Sequence, residues 1–206
     1  MAKVVALSGA QGSGKSTLLK GLNGLAENAW SLDSFRVSRA VQEQLGWTTL
    51  DNVTSSWATM TEFQEEVYRQ KRDRDLGIRR FGSQWLVLTE RSFADIAAYT
   101  THWTWILVDQ GKIDVREASP WLSDYLRRCA EAQIACYDAI LLLPLMRNVL
   151  WESDPNRAKR ESAETIYEDV ERFTQKAVFL TQKKFTITAA SVEDRIAQVD
   201  TFLRTV

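Results

Sequence analysis

Gly9-Ala10-Gln11-Gly12-Ser13-Gly14-Lys15-Ser16-Thr17 is the stretch that decides the fold. It follows the apolar run Val4-Val5-Ala6-Leu7 and precedes the helix-like run Thr17-Leu18-Leu19-Lys20-Gly21-Leu22. The spacing is G-x-x-x-x-G-K-[ST], set between a strand and a helix as that pattern requires. A polyphosphate must be held by many donors at once, so backbone N–H groups have to converge on it. Glycines at 9, 12 and 14 let the chain turn tightly and come close to the phosphates without a Cβ in the way. The helix beginning near Lys15 directs its positive end at the same anion. Lys15 is expected to reach the β- and γ-phosphates and Ser16 to ligate Mg²⁺, with Gln11, Ser13 and Thr17 completing the nucleotide cradle. The loop implies a nucleoside triphosphate, and the rest of the chain must say where the phosphate goes.

At 206 residues the chain is long enough for a sizeable core and is expected to be one domain, 1–206. Lys and Arg number 26 against 27 Asp and Glu, a formal charge of −1, which gives no chain-wide case for nucleic acid or a membrane. His102 is the one histidine, which leaves little room for a zinc site or a catalytic histidine pair. Cys129 and Cys136 stand a heptad apart on a helix-like stretch and read as small buried residues of a reduced protein. Lys3 leads straight into the first strand, so no secretory leader is expected. No apolar run approaches the roughly 18 residues of a membrane span.

Lys3 to Ser8 reads as a buried strand and Lys15 to Ala26 as the helix after the loop. Ala29-Trp30-Ser31-Leu32 is a short second strand, after which Asp33-Ser34 can cap a helix from Phe35 to Leu45. Thr48 to Ser56 reads as a loop framed by Trp47 and Trp57. A helix from about Ala58 to Asp75 carries Met60, Phe63, Val67 and Gln70 on one face, and its mixed-sign run Lys71-Arg72-Asp73-Arg74-Asp75 reads as a solvated face. Trp85 to Thr89 is a buried strand ending in Glu90-Arg91-Ser92, followed by a helix from Phe93 to Gln110. Ser119-Pro120 reads as the start of the next helix, serine capping and proline first. Asp138 to Leu143 is another strand, Ser162 to Gln182 a helix, Phe185 to Thr188 a strand, and Ser191 caps the last helix. Strands alternating with helices imply an α/β fold with a parallel sheet covered on both faces. In such sheets ligands bind at the carboxyl ends of the strands, where the phosphate loop, Asp33 and Glu90-Arg91 all fall.

Three features bear on a reaction. Glu90, after an apolar strand, can hold Mg²⁺ through water or accept the proton of a hydroxyl, and Arg91 beside it can neutralise phosphate or fix an acceptor. Asp33 can remove a proton from an acceptor hydroxyl, or only cap the helix after it. Arg147, Arg157, Lys159 and Arg160 can form a lid that brings cations to the transferring phosphate and keeps water out. Spacing does not choose among them. Arg157 is carried as the catalytic candidate, and Arg147 and Arg160 as nucleotide-binding candidates.

Gly9 to Thr17, Glu90-Arg91-Ser92 and an arginine-bearing segment before a long helix together resemble the P-loop nucleoside and nucleotide kinases. Glu90-Arg91-Ser92 is similar to the Glu-Arg-Ser motif of deoxynucleoside kinases and sits where thymidylate kinases carry Asp-Arg. Ser34-Phe35-Arg36-Val37-Ser38-Arg39, Phe63-Gln64-Glu65 and Tyr137-Asp138-Ala139-Ile140 look like a group that includes nicotinamide riboside kinase domains and phage-encoded kinases. The resemblance implies a three-layer P-loop NTPase fold with five parallel strands in the order 2-3-1-4-5, helices on both faces and a lid at about 145–161. It places Asp33 where some of these kinases keep their base, and Arg36 and Arg39 where an arginine faces the acceptor. It departs from the pattern at the second strand, where Asp33-Ser34-Phe35 replaces an acidic residue plus proline.

The expected activity is Mg²⁺- and ATP-dependent transfer of phosphate to a hydroxyl of a nucleoside or nucleotide. The expected setting is cytoplasmic, the host's cytoplasm for a phage-encoded member, with no membrane partner and a homodimer left open. One alternative is a phage-type kinase acting on 5-hydroxymethyl-pyrimidines in modified DNA, with Trp47, Trp57, Trp103 or Trp105 stacking on a base. For any one of these tryptophans, core packing is the default. The other alternative is a P-loop ATPase switch with no acceptor.

Overall fold

A computed structural model of the chain describes residues 1–10, 12–22, 31–33, 36–83, 85–144, 160–175 and 183–206. Gln11, Arg147, Arg157 and Lys159, and with them almost all of the expected lid, lie outside the described residues.

Val4, Val5, Ala6 and Leu7 make the first strand apolar on both faces, which is what a buried parallel strand needs. β1 (Lys3–Ser8) lies in the middle of the sheet, with β3 (Leu86–Glu90) on one side and β4 (Ala139–Leu142) on the other. β2 (Ser31–Asp33) and β5 (Lys183–Thr186) form the edges, giving five parallel strands in the order β2-β3-β1-β4-β5. Alternation along β1 separates two cores. Val4 and Ala6 face α2 (Val37–Gln44), α3 (Trp57–Arg79), α4 (Phe93–Asp109), α5 (Val115–Cys136) and α6 (Arg160–Gln175). Val5 and Leu7 face α1 (Lys15–Leu22) and α7 (Val192–Leu203). No helix among the described residues is long and apolar enough to cross a membrane.

Several elements differ from the sequence reading. α5 begins at Val115, not at Ser119-Pro120, because Asp114 caps it by accepting the Arg116 amide at 2.7 Å. Pro120 therefore sits inside the helix on its exposed side, where water can take the carbonyl that proline leaves without an N–H. α2 begins at Val37 with Arg36 as its N-cap and no side-chain cap, so Asp33 is the last residue of β2 and not a helix cap. The Thr48 to Ser56 stretch contains a 3₁₀ turn, Leu50–Thr54, that buries Val53 in the larger core. α3 starts at Trp57 behind Ser56, whose hydroxyl accepts the Thr59 amide at 3.1 Å, and it runs to Arg79. Lys71 and Asp75 are not on a solvated face: they are 2 % and 0 % exposed.

Candidate functional site

The turn from β1 into α1 is built on three positive backbone angles, φ of 150° at Gly9, 84° at Gly12 and 88° at Gly14. A Cβ at Gly9 would stand 2.6 Å from the Leu143 carbonyl oxygen and 2.9 Å from Ser13 Oγ. Gly9→Ala must therefore move the loop off Leu143, the residue that follows β4. The expected result is a folded protein whose ADP affinity, read by calorimetry, falls about ten- to a hundredfold, the equivalent of roughly 1–3 kcal/mol of strain.

Lys15 folds back into the loop. Its Nζ donates to the carbonyls of Gly9 at 2.5 Å and Ala10 at 2.7 Å and to Ser13 Oγ at 3.3 Å. Burial, with the Arg91 charge second and Arg36 adding to it, pushes the ammonium down from 10.5 to about 7, while Asp95 and Glu90 pull the other way. Ser16 and Thr17 open α1 on its exposed side.

Asp95, which the sequence reading passed over, ties the loop to the turn after β3. It is fully buried, and its carboxylate accepts from the Gly9 amide at 2.9 Å, the Ser8 hydroxyl at 2.7 Å and the Ser92 amide at 2.7 Å. The local cause is a capping box: the Ser92 hydroxyl caps α4 while Asp95, three residues on, returns to the Ser92 amide. Ser92-Phe93-Ala94-Asp95 carries that signature in the sequence. Arg195 of α7 holds the loop from the other side, its Nη1 donating to the Ser13 carbonyl at 3.1 Å and its Nε to the Ala189 carbonyl at 2.8 Å.

Parallel pairing sets Leu7 beside Glu90 and Asp33 beside Thr89, so the carboxyl ends of β1, β2 and β3 meet at the loop. Glu90 is 7 % exposed. The Arg36 guanidinium lies between it and the loop, donating to Ser16 Oγ at 2.9 Å and standing 3.8 Å from Glu90 Oε2. Arg91 takes a left-handed backbone, φ 65°, with its amide bonded to the Leu7 carbonyl at 2.9 Å. That conformation, costly for a residue with a Cβ, lets the chain leave the strand and enter the Ser92 cap at once. The Arg91 guanidinium lies over the Tyr99 ring at 4.9 Å and 3.9 Å from Asp95, and its buried Nη1 has no hydrogen-bond partner among the described residues.

The structure thus brings together Gly9, Gly12, Ser13, Gly14, Lys15, Ser16, Arg36, Glu90 and Arg91. It does not bring in Arg39, which is exposed and paired with Glu43 one turn along α2 at 3.0 Å. Asp33 is placed by its backbone at the end of β2, and Arg160 opens α6. Ser16 Oγ and the Glu90 carboxylate are hard oxygen donors facing one cation, which fits Mg²⁺. No group of three or more His, Cys, Asp or Glu among the described residues could hold a metal by itself. A Mg²⁺ here would therefore draw further oxygens from nucleotide phosphates, its usual manner of binding.

Lys71 supports the turn from beneath. Its Nζ donates to Asp75 at 2.8 Å and reaches the Glu90 carbonyl at 3.4 Å, and the Tyr137 hydroxyl donates to the same Asp75 oxygen. The tryptophans flank this region as packing. Trp47 stacks on Phe63, Trp103 meets Phe63 edge-on, and Trp57 meets Trp121 edge-on, while Trp105 is exposed.

A family profile described as an AAA domain matches residues 4–195. The chain belongs to that family of nucleotide-loop domains. No protein of curated function matches it. Among solved structures, deoxyadenosine kinase from M. mycoides with dCMP and a flexible dCDP bound is similar with a TM-score of 0.64 at 14% identity, covering 98% of this chain and 100% of that one. The same kinase with dATP bound gives 0.63 at 14%, covering 98% and 99%. Thymidylate kinase from Candida albicans gives 0.64 at 13%, covering 99% and 92%. At these identities the likeness establishes the fold, which is that of the P-loop nucleoside and nucleotide kinases.

Proposed function

We propose that this chain is an ATP-dependent phosphotransferase, a single P-loop kinase domain that moves the terminal phosphate of ATP to a hydroxyl of a nucleoside or nucleotide. The observation that carries the reading is the buried Glu90 carboxylate next to a phosphate loop, joined to Ser16 through one guanidinium. A loop alone would bind nucleotide. A carboxylate at the neighbouring strand end gives the site a group that can take a hydroxyl proton or hold a metal. The fold shared with kinases of nucleosides and nucleotides supports the same class of acceptor.

In this reading the loop amides and Lys15 grip the phosphates and keep them in line. Arg91, with a buried donor to spare, neutralises charge on the phosphate or the acceptor. Glu90 or Asp33 accepts the acceptor's proton, the two standing on adjacent strands one register step apart. Mg²⁺, held by Ser16 and Glu90, would neutralise the developing charge on the β- and γ-oxygens. Arg147, Arg157 and Arg160 are the residues that, by the sequence resemblance, would bring cations to the phosphate and keep water out.

The test is ADP release in a coupled assay against ribonucleosides, deoxynucleosides, their monophosphates, nicotinamide riboside, and DNA with and without 5-hydroxymethyluracil. Stimulation by one acceptor, with the phosphorylated product recovered, establishes the reading and names the substrate. ATP turnover indifferent to every acceptor overturns it in favour of a switch ATPase. Glu90→Gln should lower transfer about 10²- to 10⁴-fold, the range for a lost acid–base group. Metal-free ADP binding should change little, and equal losses in both would show Glu90 to be structural.

A further inference from the structure

Arg36 is the one side chain described in contact with both candidate metal ligands. It donates to Ser16 Oγ at 2.9 Å and lies 3.8 Å from the Glu90 carboxylate. Its side chain is 53% exposed, whereas that of Glu90 is 8% exposed. Arg36 is also the N-cap of α2, but its side chain takes no part in the cap. Nothing in the hydrophobic cores depends on it. A buried carboxylate beside a cradle for anions needs a cation, and this one is supplied on a long side chain with an open path to solvent.

A metal ion on the same Ser16 and Glu90 oxygens would be a close neighbour of that guanidinium, both positive. The two cannot share the position without strong repulsion. We propose that the Arg36 guanidinium is a resident cation of the metal position: it joins Ser16 to Glu90 in the nucleotide-free protein and is exchanged for Mg²⁺ when nucleotide binds. The exchange frees Arg36, whose side chain is 53% exposed, toward solvent. It also keeps the Glu90 charge compensated in both states. The inference rests on reading the site as a metal–nucleotide site and is independent of the acceptor.

Mn²⁺ is the probe, its free concentration followed by electron paramagnetic resonance in the presence of ADP. If the Arg36-engaged state holds about nine-tenths of the population, wild-type metal affinity is lowered about tenfold by that competition. Arg36→Gln should therefore bind Mn²⁺ about tenfold more tightly in the ADP complex. Its ADP affinity in EDTA should be unchanged or weaker. Arg36→Lys keeps a cation on the same path and should stay near the wild-type value. Arg39→Gln removes an equal charge one turn away, from the pair with Glu43, and should leave Mn²⁺ affinity alone. A gain confined to Arg36→Gln supports the exchange. Mn²⁺ affinity unchanged or lowered in Arg36→Gln, or raised equally in Arg39→Gln, overturns it. Failure of the wild type to bind Mn²⁺ with ADP overturns the nucleotide-site reading and the exchange together.

Discussion

Asp75→Ala is expected to destabilise the protein by about 3–5 kcal/mol, the cost of leaving one partner of a buried pair without the other. Lys71 and Asp75 are 2 % and 0 % exposed and bond at 2.8 Å. Arg74 lies 3.6 Å from the second Asp75 oxygen, and the Tyr137 hydroxyl donates to the first. Removing the carboxylate strands the Lys71 ammonium against the rings of Phe93 and Tyr137, 5.9 and 5.7 Å away, with only part of its charge answered. The aromatic faces return far less than a carboxylate does. Urea unfolding should show the loss as a lower midpoint at unchanged slope, and the melting temperature should fall by roughly 10 °C. The double replacement Lys71→Met with Asp75→Leu should recover most of the stability, since a well-packed apolar pair often matches a buried ionic one. A single Asp75→Ala variant within about 1 kcal/mol of wild type would show that the pair is screened by water, against its burial. The rescued double variant serves a second purpose. It keeps the fold but loses the Lys71 bond to the Glu90 carbonyl, so a fall in transfer there would read the support that α3 gives to the Glu90-Arg91 turn.

The misreading of that pair has a physical source. Met60, Gln64, Val67, Lys71 and Asp75 follow one another at spacings of three or four along α3, so the inward stripe runs through the charged residues without a break. The mixed-sign run reads as a solvated face when charge is weighed and the continuation of the stripe through Lys71 and Asp75 is not. The phosphate loop was legible because strand, spacing and helix are all local, and local patterns survive without knowledge of the partner. The alternation of strands and helices was legible for the same reason. Asp95 could have been found from its capping box three residues after Ser92, although the box does not say that the carboxylate also holds Ser8 and Gly9, 87 and 86 residues away. The Arg36–Ser16–Glu90 contact has no local signal at all, since it is made only when α2 and β3 are set beside β1. Ser119-Pro120 failed for the opposite reason. Its local signal was strong, but Asp114 supplied a competing cap five residues earlier, and an exposed proline in the early turns of a helix costs little enough to be carried.

Lys15→Met should abolish useful transfer, by about 10²- to 10³-fold or more, while altering stability in a way that depends on pH. The lysine is buried in a loop made of carbonyl and amide groups, and burial followed by the Arg91 charge brings its ammonium down from 10.5 to about 7. In the unfolded chain the same group stays protonated to its ordinary value. Between pH 7 and 10.5 the unfolded chain therefore binds the proton that the folded chain has lost, and wild-type stability rises with pH through that window. The cost of burying the ammonium is fully present below pH 7 and fades toward 10.5. Methionine carries no such cost, so the stability of Lys15→Met relative to wild type should be greatest at pH 6 and should decline by pH 9. Nucleotide reverses the balance. Phosphate oxygens replace the loop carbonyls as partners and favour the ammonium, so binding above pH 7 takes a proton from solvent. At pH 8 the phosphates, with a second pKa of about 6, are already ionised and add no proton of their own. Calorimetry of ADP binding in buffers of different ionisation enthalpy should then report uptake of nearly one proton by the wild type and none by Lys15→Met. Uptake near zero in the wild type would mean that the three oxygens around Nζ already hold the proton in the free protein. A stability difference flat from pH 6 to pH 9 would say the same by an independent route, and the two together would remove Lys15 as the source of any pH dependence in nucleotide binding.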